Sequence, residues 1–527
     1  MRRVRKRPPN TAPNIIFVMA DQLGACHLGV YGSPVPSTPT LDRFAKRGVR
    51  FDRYYTSVTV CAPSRATILT GLSPEVHGVT QNNLELPRSN RTYAHALRQV
   101  GFRLGCFGKL HQTSMALPLP DNARFLGFDE AALTEDPRQG AWLEWIRREH
   151  PAHYEAALAT SWPVPYVRGA AKRQWQRAFD RFVKPRREAS LWALMYPSPL
   201  PAELEQTPWI TDCGLEFMAR HLRERSDTPF FCHLSYVAPH DPYAPPEPYA
   251  SLFDPADMPP ALPAHWEARG SQTLRQKQRF AGFQKIAHDP DAIALLRARY
   301  HGYLRHLDDE LGRLETFLDA QDLWDDTIVV FTTDHGELLG DHALITKGVA
   351  HYDAGVRCPL IVCGAGIAAD TVSDRLTCGL DFVPTFCAWA GLPDPWPLEG
   401  LSFAASCRGE GETLARTEVT LEADYVPELH PSVRSIVTED GWRLTIFDEP
   451  GYGEMFDLRS DPHESRNLYF DPDFSPKRQE LFERHARAFM RRASLQQLRA
   501  LPRVAGRPLR VAAGLELRDD VLPLRDA

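Results

Sequence analysis

Apolar, β-branched runs alternate along this chain with stretches of helical period, and polar, reactive-looking residues stand where the runs end. Ile15 to Ala20 stops at Asp21, Phe230 to Val237 runs towards His240, Ile328 to Thr333 stops at Asp334, and a fourth run spans Pro359 to Cys363. Between them, from Tyr300 to Leu318, apolar residues recur at helical spacing. Strands alternating with helices predict an α/β sheet covered on both faces. In such sheets ligands collect beyond the carboxyl ends of the strands, which is where Asp21, His240 and Asp334 are expected.

The pattern dissolves between about residues 133 and 209 into an insertion rich in Trp, Tyr, Arg and Pro, with Trp142, Trp145, Trp162, Trp175 and Trp192 inside it. These aromatics are expected to pack the insertion onto the body, and as a group they have the size to wall a substrate pocket. After about Cys407 the character changes again. Ser435 to Val437 and Trp442 to Phe447 flank Glu439-Asp440-Gly441, which reads as an antiparallel hairpin, and an Arg-rich helical stretch follows from Pro476 to Arg492. A smaller α+β domain with an antiparallel sheet is therefore expected over residues 411–527, after a first domain of residues 1–410. The tail beyond Pro502 is expected to dock elsewhere or on another subunit.

Composition narrows the classes. At 527 residues, 43% hydrophobic and 24% charged, the chain has ample material for a packed core, which excludes disordered and fibrous classes. Its formal net charge of -6 gives no basic field for nucleic acid, so a small molecule is the expected partner. Met1 to Arg7 is basic, but the apolar run that follows it is too short to span a bilayer, so neither membrane nor secretory signal is expected. The ten cysteines form no C-x-x-C pair and mostly read as small buried hydrophobes of a reducing cytoplasm.

Cys61 is the exception. The string Cys61-Ala62-Pro63-Ser64-Arg65, followed by Thr70-Gly71, resembles the C-x-P-S-R signature of the formylglycine-dependent sulfatases of the alkaline-phosphatase superfamily. The resemblance implies an alkaline-phosphatase-like sandwich, with a central mixed sheet between helices, and maturation by a formylglycine-generating enzyme that oxidises Cys61. The hydrate of such an aldehyde has two hydroxyls, one to attack sulfur and one whose collapse expels sulfate afterwards. A hard divalent cation would activate the nucleophile at neutral pH.

Asp21 and Gln22 at one strand end and Asp334 and His335 at another resemble the metal ligands of that family, with residue 61 completing the set. Many sulfatases carry Asp-Asp and Asp-Asn at these points. Asp-Gln and Asp-His remove a carboxylate and add an imidazole, which makes Mn2+ a candidate beside Ca2+. They resemble the branch that holds arylsulfatases, choline sulfatases and phosphonate monoester hydrolases. Further matches, among them Thr38-Pro39-Thr40-Leu41-Asp42 and Asp457-Leu458 with Asp461-Pro462, extend the likeness over most of the chain.

Within that branch, Gly108-Lys109-Leu110-His111 matches the sulfatases, in which Lys contacts sulfate and His orients the formylglycine hydrate. By the same resemblance Arg65 holds the nucleophile loop, Lys347 and Asn82 bind sulfate oxygens, and His240 binds or protonates the leaving oxygen. His77, His342 and His351 read as structural. The implied activity is hydrolysis of aryl or alkyl sulfate monoesters by S–O cleavage in a homo-oligomer, a dimer at first guess. A phosphonate monoester or phosphodiester hydrolase with the same nucleophile is the alternative. A noncatalytic binding protein of the same fold should have lost one of these positions, and all of them are present.

Overall fold

The computed structural model describes residues 12–112, 120–161, 169–186, 195–224, 227–279, 283–410, 416–424 and 432–500. The basic tip, Trp162, Trp192 and the tail beyond Pro502 lie outside them. Fourteen strands are described: β1 (Asn14–Ala20), β2 (Gly48–Phe51), β3 (Tyr54–Tyr55), β4 (Arg103–Gly108), β5 (Glu130–Leu133), β6 (Phe230–Ser235), β7 (Thr327–Thr333), β8 (Leu360–Gly364), β9 (Thr371–Ser373), β10 (Thr377–Cys378), β11 (Glu418–Ala423), β12 (Val433–Thr438), β13 (Trp442–Phe447) and β14 (Gly453–Asp457). Eight of them form the main sheet in the order β5-β4-β6-β1-β7-β8-β2-β9. This is the mixed sheet between helices that the resemblance implied.

β1 runs through the middle of this sheet with every residue buried. Ile16 and Val18 belong to the core on one face, and Ile15, Phe17 and Met19 to the core on the other. The predicted helix is part of Pro290–Ala320, whose Leu304, Leu307, Leu311 and Leu314 pack into the first of these cores. Asp289 caps its amino end through the backbone N–H groups of Asp291 and Ala292.

Register does the work that the function needs. β1 pairs in parallel with β7, Ala20 opposite Thr333, and with β6, Met19 opposite Ser235; β4 pairs with β6, Gly108 opposite Ser235. The residues that follow, Asp21, Asp334, Tyr236 and Lys109, therefore leave the sheet side by side at one edge. β8, the run expected from Pro359, is antiparallel to both β7 and β2, so its carboxyl end lies at the opposite edge and its amino end faces the site.

The insertion is more regular than its sequence suggested. It holds helices at Ala141–Glu149, Tyr154–Thr160 and Gly169–Phe182. Trp142 is fully buried with its indole N–H on the Leu204 carbonyl at 3.0 Å, Trp145 packs against the main core, and Trp175 stacks on Phe179. These three are used for packing.

β11 to β14 form a four-stranded antiparallel sheet containing the predicted hairpin, and the basic stretch lies in the helix Ser475–Ala500. This sheet grips the segment after Lys347. His351 meets the Ser435 hydroxyl at 2.7 Å, the Tyr352 hydroxyl donates to Glu454 at 2.6 Å, and the Asp353 N–H donates to Glu464 at 2.8 Å. His342 stacks on Tyr352, and His77 lies 3.2 Å from the Thr67 hydroxyl, so each of the three histidines read as structural meets a neighbour within the fold. Among the described residues no helix is long and apolar enough to cross a membrane.

Arg443 of β13 is fully buried, pairs with Glu464 and faces the Tyr352 and Phe456 rings. Removing one partner leaves the other charge buried and uncompensated. Arg443→Met is expected to destabilise by about 3 kcal/mol or more, and Arg443→Met/Glu464→Leu by clearly less. Unfolding midpoints of the two variants test this, and equal losses would show that the ion pair is not what holds the sheet.

Candidate active site

Cys61 is the first residue of the helix Cys61–Thr70, fully buried, with its sulfur 3.0 Å from His335 Nε2 and 4.0 Å from Asp21 Oδ1. A helix amino end presents unpaired N–H groups and a positive dipole, an environment that favours an anion at position 61. Asn82 accepts from the Ala62 N–H at 3.0 Å, and Gln112 donates to the Ala62 carbonyl at 3.0 Å, so both brace this first turn. The signature closes at Gly71, whose left-handed backbone (φ 68°) ends the helix where a Cβ would press on Val383 and Leu398.

Arg65 lies one turn after Cys61 on the same helix face. Its guanidinium donates to Asp334 Oδ2 (2.7 Å), the Lys109 carbonyl (2.9 Å) and the Ser235 hydroxyl (2.8 Å), and stands 3.5 Å from Asp21. Lys109 follows Gly108, whose φ of 103° turns the chain off β4. The Lys109 ammonium pairs with Asp21 and, at 2.5 Å, with Asp136. His111 is buried with both ring nitrogens lacking a hydrogen-bond partner among the described residues, and its backbone N–H is held by Glu135 at 2.9 Å.

Charge decides what this pocket can hold. Burial opposes ionisation of the Cys61 thiol most strongly, but Lys109, Lys347, His335 and His111 together outweigh it and hold its pKa well below the ordinary value. Asp21 is likewise held low against its burial, chiefly by Lys109. Lys109 and Lys347 are raised despite their burial, by Asp136 with Asp21 for the first and by Cys61 with Asp21 for the second. The centre is thus built for a negative atom at position 61, with the Lys109 and Lys347 ammonium groups as its nearest fixed cations.

One oxygen each from Asp21 and Asp334, Nε2 of His335 and the Cys61 sulfur all lie within 4.8 Å of one another and are buried. His335 Nδ1 is 3.1 Å from the Gly336 carbonyl, so the proton on that side leaves Nε2 with a free lone pair towards the group. Two carboxylates and one imidazole suit a hard or borderline divalent ion, and these residues form a possible metal-binding cluster. Gln22 stands beside it. Its N–H donates to Asp334 at 3.2 Å and its side-chain oxygen accepts from Lys347 at 2.5 Å.

His240 lies in the loop after β6. Its Nε2 is 2.5 Å from Lys347 Nζ, and Nδ1 is the same distance from the Asp241 carbonyl. Burial and Lys347 push its pKa down, but Asp241, Asp136 and Asp21 outweigh them and raise it to about 10. Two donors cannot face each other at 2.5 Å, so one of the two nitrogens accepts and the carboxylates keep a proton on the pair. Lys347 is half-buried, whereas Lys109 is fully buried.

All the residues expected from sequence meet in this one region. Two were missed. Asp136 is buried and joins Asp21, Cys61 and His240 in a second cluster of possible ligands, and Glu135 holds the Lys109 to His111 loop. Both follow a short, half-polar strand at the sheet edge, where an apolar run was too weak a signal; their acidity just after β5 was the only mark.

Comparison with known proteins reaches the same place. The sulfatase family profile matches residues 13–392, and the profile described as N-sulphoglucosamine sulphohydrolase, C-terminal, matches residues 340–490. The chain is 27% identical over 515 residues to the multifunctional alkaline phosphatase superfamily protein PehA of Trinickia caryophylli, covering 88% of this chain and 93% of that one. It is 26% identical over 475 residues to an arylsulfatase of Clostridium perfringens, covering 88% and 92%. A solved phosphonate monoester hydrolase from Silicibacter pomeroyi superposes with a TM-score of 0.75 at 26% identity, covering 91% and 96%. The profile takes in β1, the Cys61 helix and β7 together, the same elements whose ends converge on the buried Cys61, and the chain belongs to the sulfatase family.

Proposed function

We propose that this hydrolase cleaves the S–O bond of aryl or alkyl sulfate monoesters, with residue 61 as the nucleophile in formylglycine form. The observation that carries the reading is the buried position 61 at a helix amino end, with the Lys109 and Lys347 ammonium groups beside it, which together stabilise a negative atom there. A Ca2+ or Mn2+ ion held by Asp21, Gln22, Asp334 and His335, with formylglycine at 61, would supply an attacking oxygen already stripped of its proton.

The chain's own groups do the rest. Lys109 and Lys347 bind the nonbridging sulfate oxygens and offset the charge these already carry, so that an anionic nucleophile can approach the sulfur. Arg65 holds Asp21, Asp334 and the helix in one frame, and His111 orients the nucleophile from a ring with no competing partner. The Lys347–His240 pair keeps a proton within reach of the leaving oxygen. Peptide mass spectrometry of active protein is expected to find formylglycine at position 61, and Cys61→Ala to lose on the order of 10³-fold or more in kcat. Active protein carrying only the thiol would overturn the mechanism.

The likeness to a solved phosphonate monoester hydrolase favours a second activity on phosphonate monoesters through the same nucleophile. With one aryl leaving group on both substrates, kcat/KM is expected to be higher for the sulfate; the opposite order would make the phosphonate ester the primary substrate.

Proton donation to the leaving oxygen matters most when that oxygen is basic. His240→Ala is expected to slow esters of weakly acidic alcohols by about 10²-fold or more while nitrophenyl esters lose much less. A uniform loss across a series of phenols would assign His240 to positioning and move the acid to Lys347 or Lys109.

A further inference from the structure

We propose that Glu337 is a positioning residue that decides which end of the Gln22 carboxamide faces the reaction centre, an inference that rests on the divalent-ion reading above. Glu337 closes the string Asp334-His335-Gly336-Glu337 and is fully buried. Its Oε1 accepts from the backbone N–H groups of Leu339 (2.9 Å) and Thr346 (2.6 Å), and its Oε2 from Gln22 Nε2 (2.5 Å) and the Tyr243 hydroxyl (2.8 Å).

A carboxylate in that setting only accepts, so whatever meets Oε2 must donate. The amide nitrogen of Gln22 is therefore drawn to it, and its two hydrogens are shared among Glu337, Asp241 (3.1 Å) and the oxygen of Tyr243 (3.2 Å). The backbone of Gln22 has no freedom to compensate. Its φ of 62° is left-handed, its N–H is tied to Asp334, and its carbonyl accepts from the Tyr300 hydroxyl at 2.7 Å.

The two ends of a carboxamide are nearly the same size, so packing does not choose between them; hydrogen bonding does. With Nε2 committed to Glu337, Oε1 is the end that accepts from Lys347, while the Gln22 backbone N–H ties the residue to Asp334. The distinction matters chemically, because a hard cation binds an amide through oxygen and not through nitrogen. In a site where Gln replaces a carboxylate, an acceptor behind it supplies the asymmetry that the amide lacks.

The test is titration of Mn2+ alone into the metal-stripped full chain, followed by calorimetry. In Glu337→Gln the new oxygen stays on the Leu339 and Thr346 N–H groups, so its amide nitrogen faces Gln22 and turns that group over. The variant is expected to bind Mn2+ about 10–100-fold more weakly than the parent chain. The charge-conserving swap Gln22→Glu/Glu337→Gln restores a donor–acceptor pair and an oxygen towards the ion, and is expected to recover most of the affinity. Parental affinity in Glu337→Gln, or a folded swap variant that binds no better than the single one, would overturn the role of Glu337 and leave the ion reading intact. A parent chain that takes up no divalent ion would overturn both.

Discussion

The buried guanidinium of Arg65 is the interaction on which the rest of the site depends. From one turn of the Cys61–Thr70 helix it reaches Asp334 after β7, stands beside Asp21 after β1, and bonds the Lys109 carbonyl after β4 and the Ser235 hydroxyl at the end of β6. Four strand ends and the nucleophile helix are thereby held in one frame. A permanent, planar, five-donor cation is the side chain suited to this, since lysine offers no fork and histidine no lasting charge. The same i, i+4 spacing that puts Arg65 under Cys61 explains why the signature ends in arginine.

Around that frame, folding buries a set of ions that would be costly apart. Asp21 and Asp136 share Lys109, while Lys347 lies across the pocket near His240 and Gln22. Such a network survives burial because nearly every charge has a partner of opposite sign or a hydrogen bond. The C-terminal sheet contributes to this indirectly. By holding Tyr352 through Glu454 and Asp353 through Glu464, it anchors the segment that begins at Lys347, so residues far from Cys61 help fix a cation of the site.

The chemistry of the site was legible because each element is marked locally. Cys61 to Arg65 is a short unbroken string, and Asp21 and Asp334 each terminate an apolar run, so strand ends and ligands could be read from the same residues. The central strands, the long helix and the C-terminal hairpin were also plain, as their apolar periods are long and regular. Asp136 and Glu135 were not, because β5 is short and half-exposed at the sheet edge and carries little periodicity. The helices of the insertion escaped for a related reason, since prolines and arginines interrupt a pattern that tertiary packing of Trp142 and its neighbours sustains.

By itself, then, the sequence determined the Cys61 signature, the family resemblance, the strands that end in Asp21 and Asp334 and the residue types that surround them, all of which are encoded over spans of a few residues. Tertiary structure alone decided how they meet. Ala20 lies opposite Thr333 and Gly108 opposite Ser235 because buried side chains on both faces of β1 leave one register that keeps each in its core. The partners of Gln22, Lys109 and His240 were likewise beyond local reading. Glu337 lies 315 residues from Gln22, Lys109 88 from Asp21 and Lys347 107 from His240, and only the buried edge of the sheet makes their pairing strong enough to set charge and orientation.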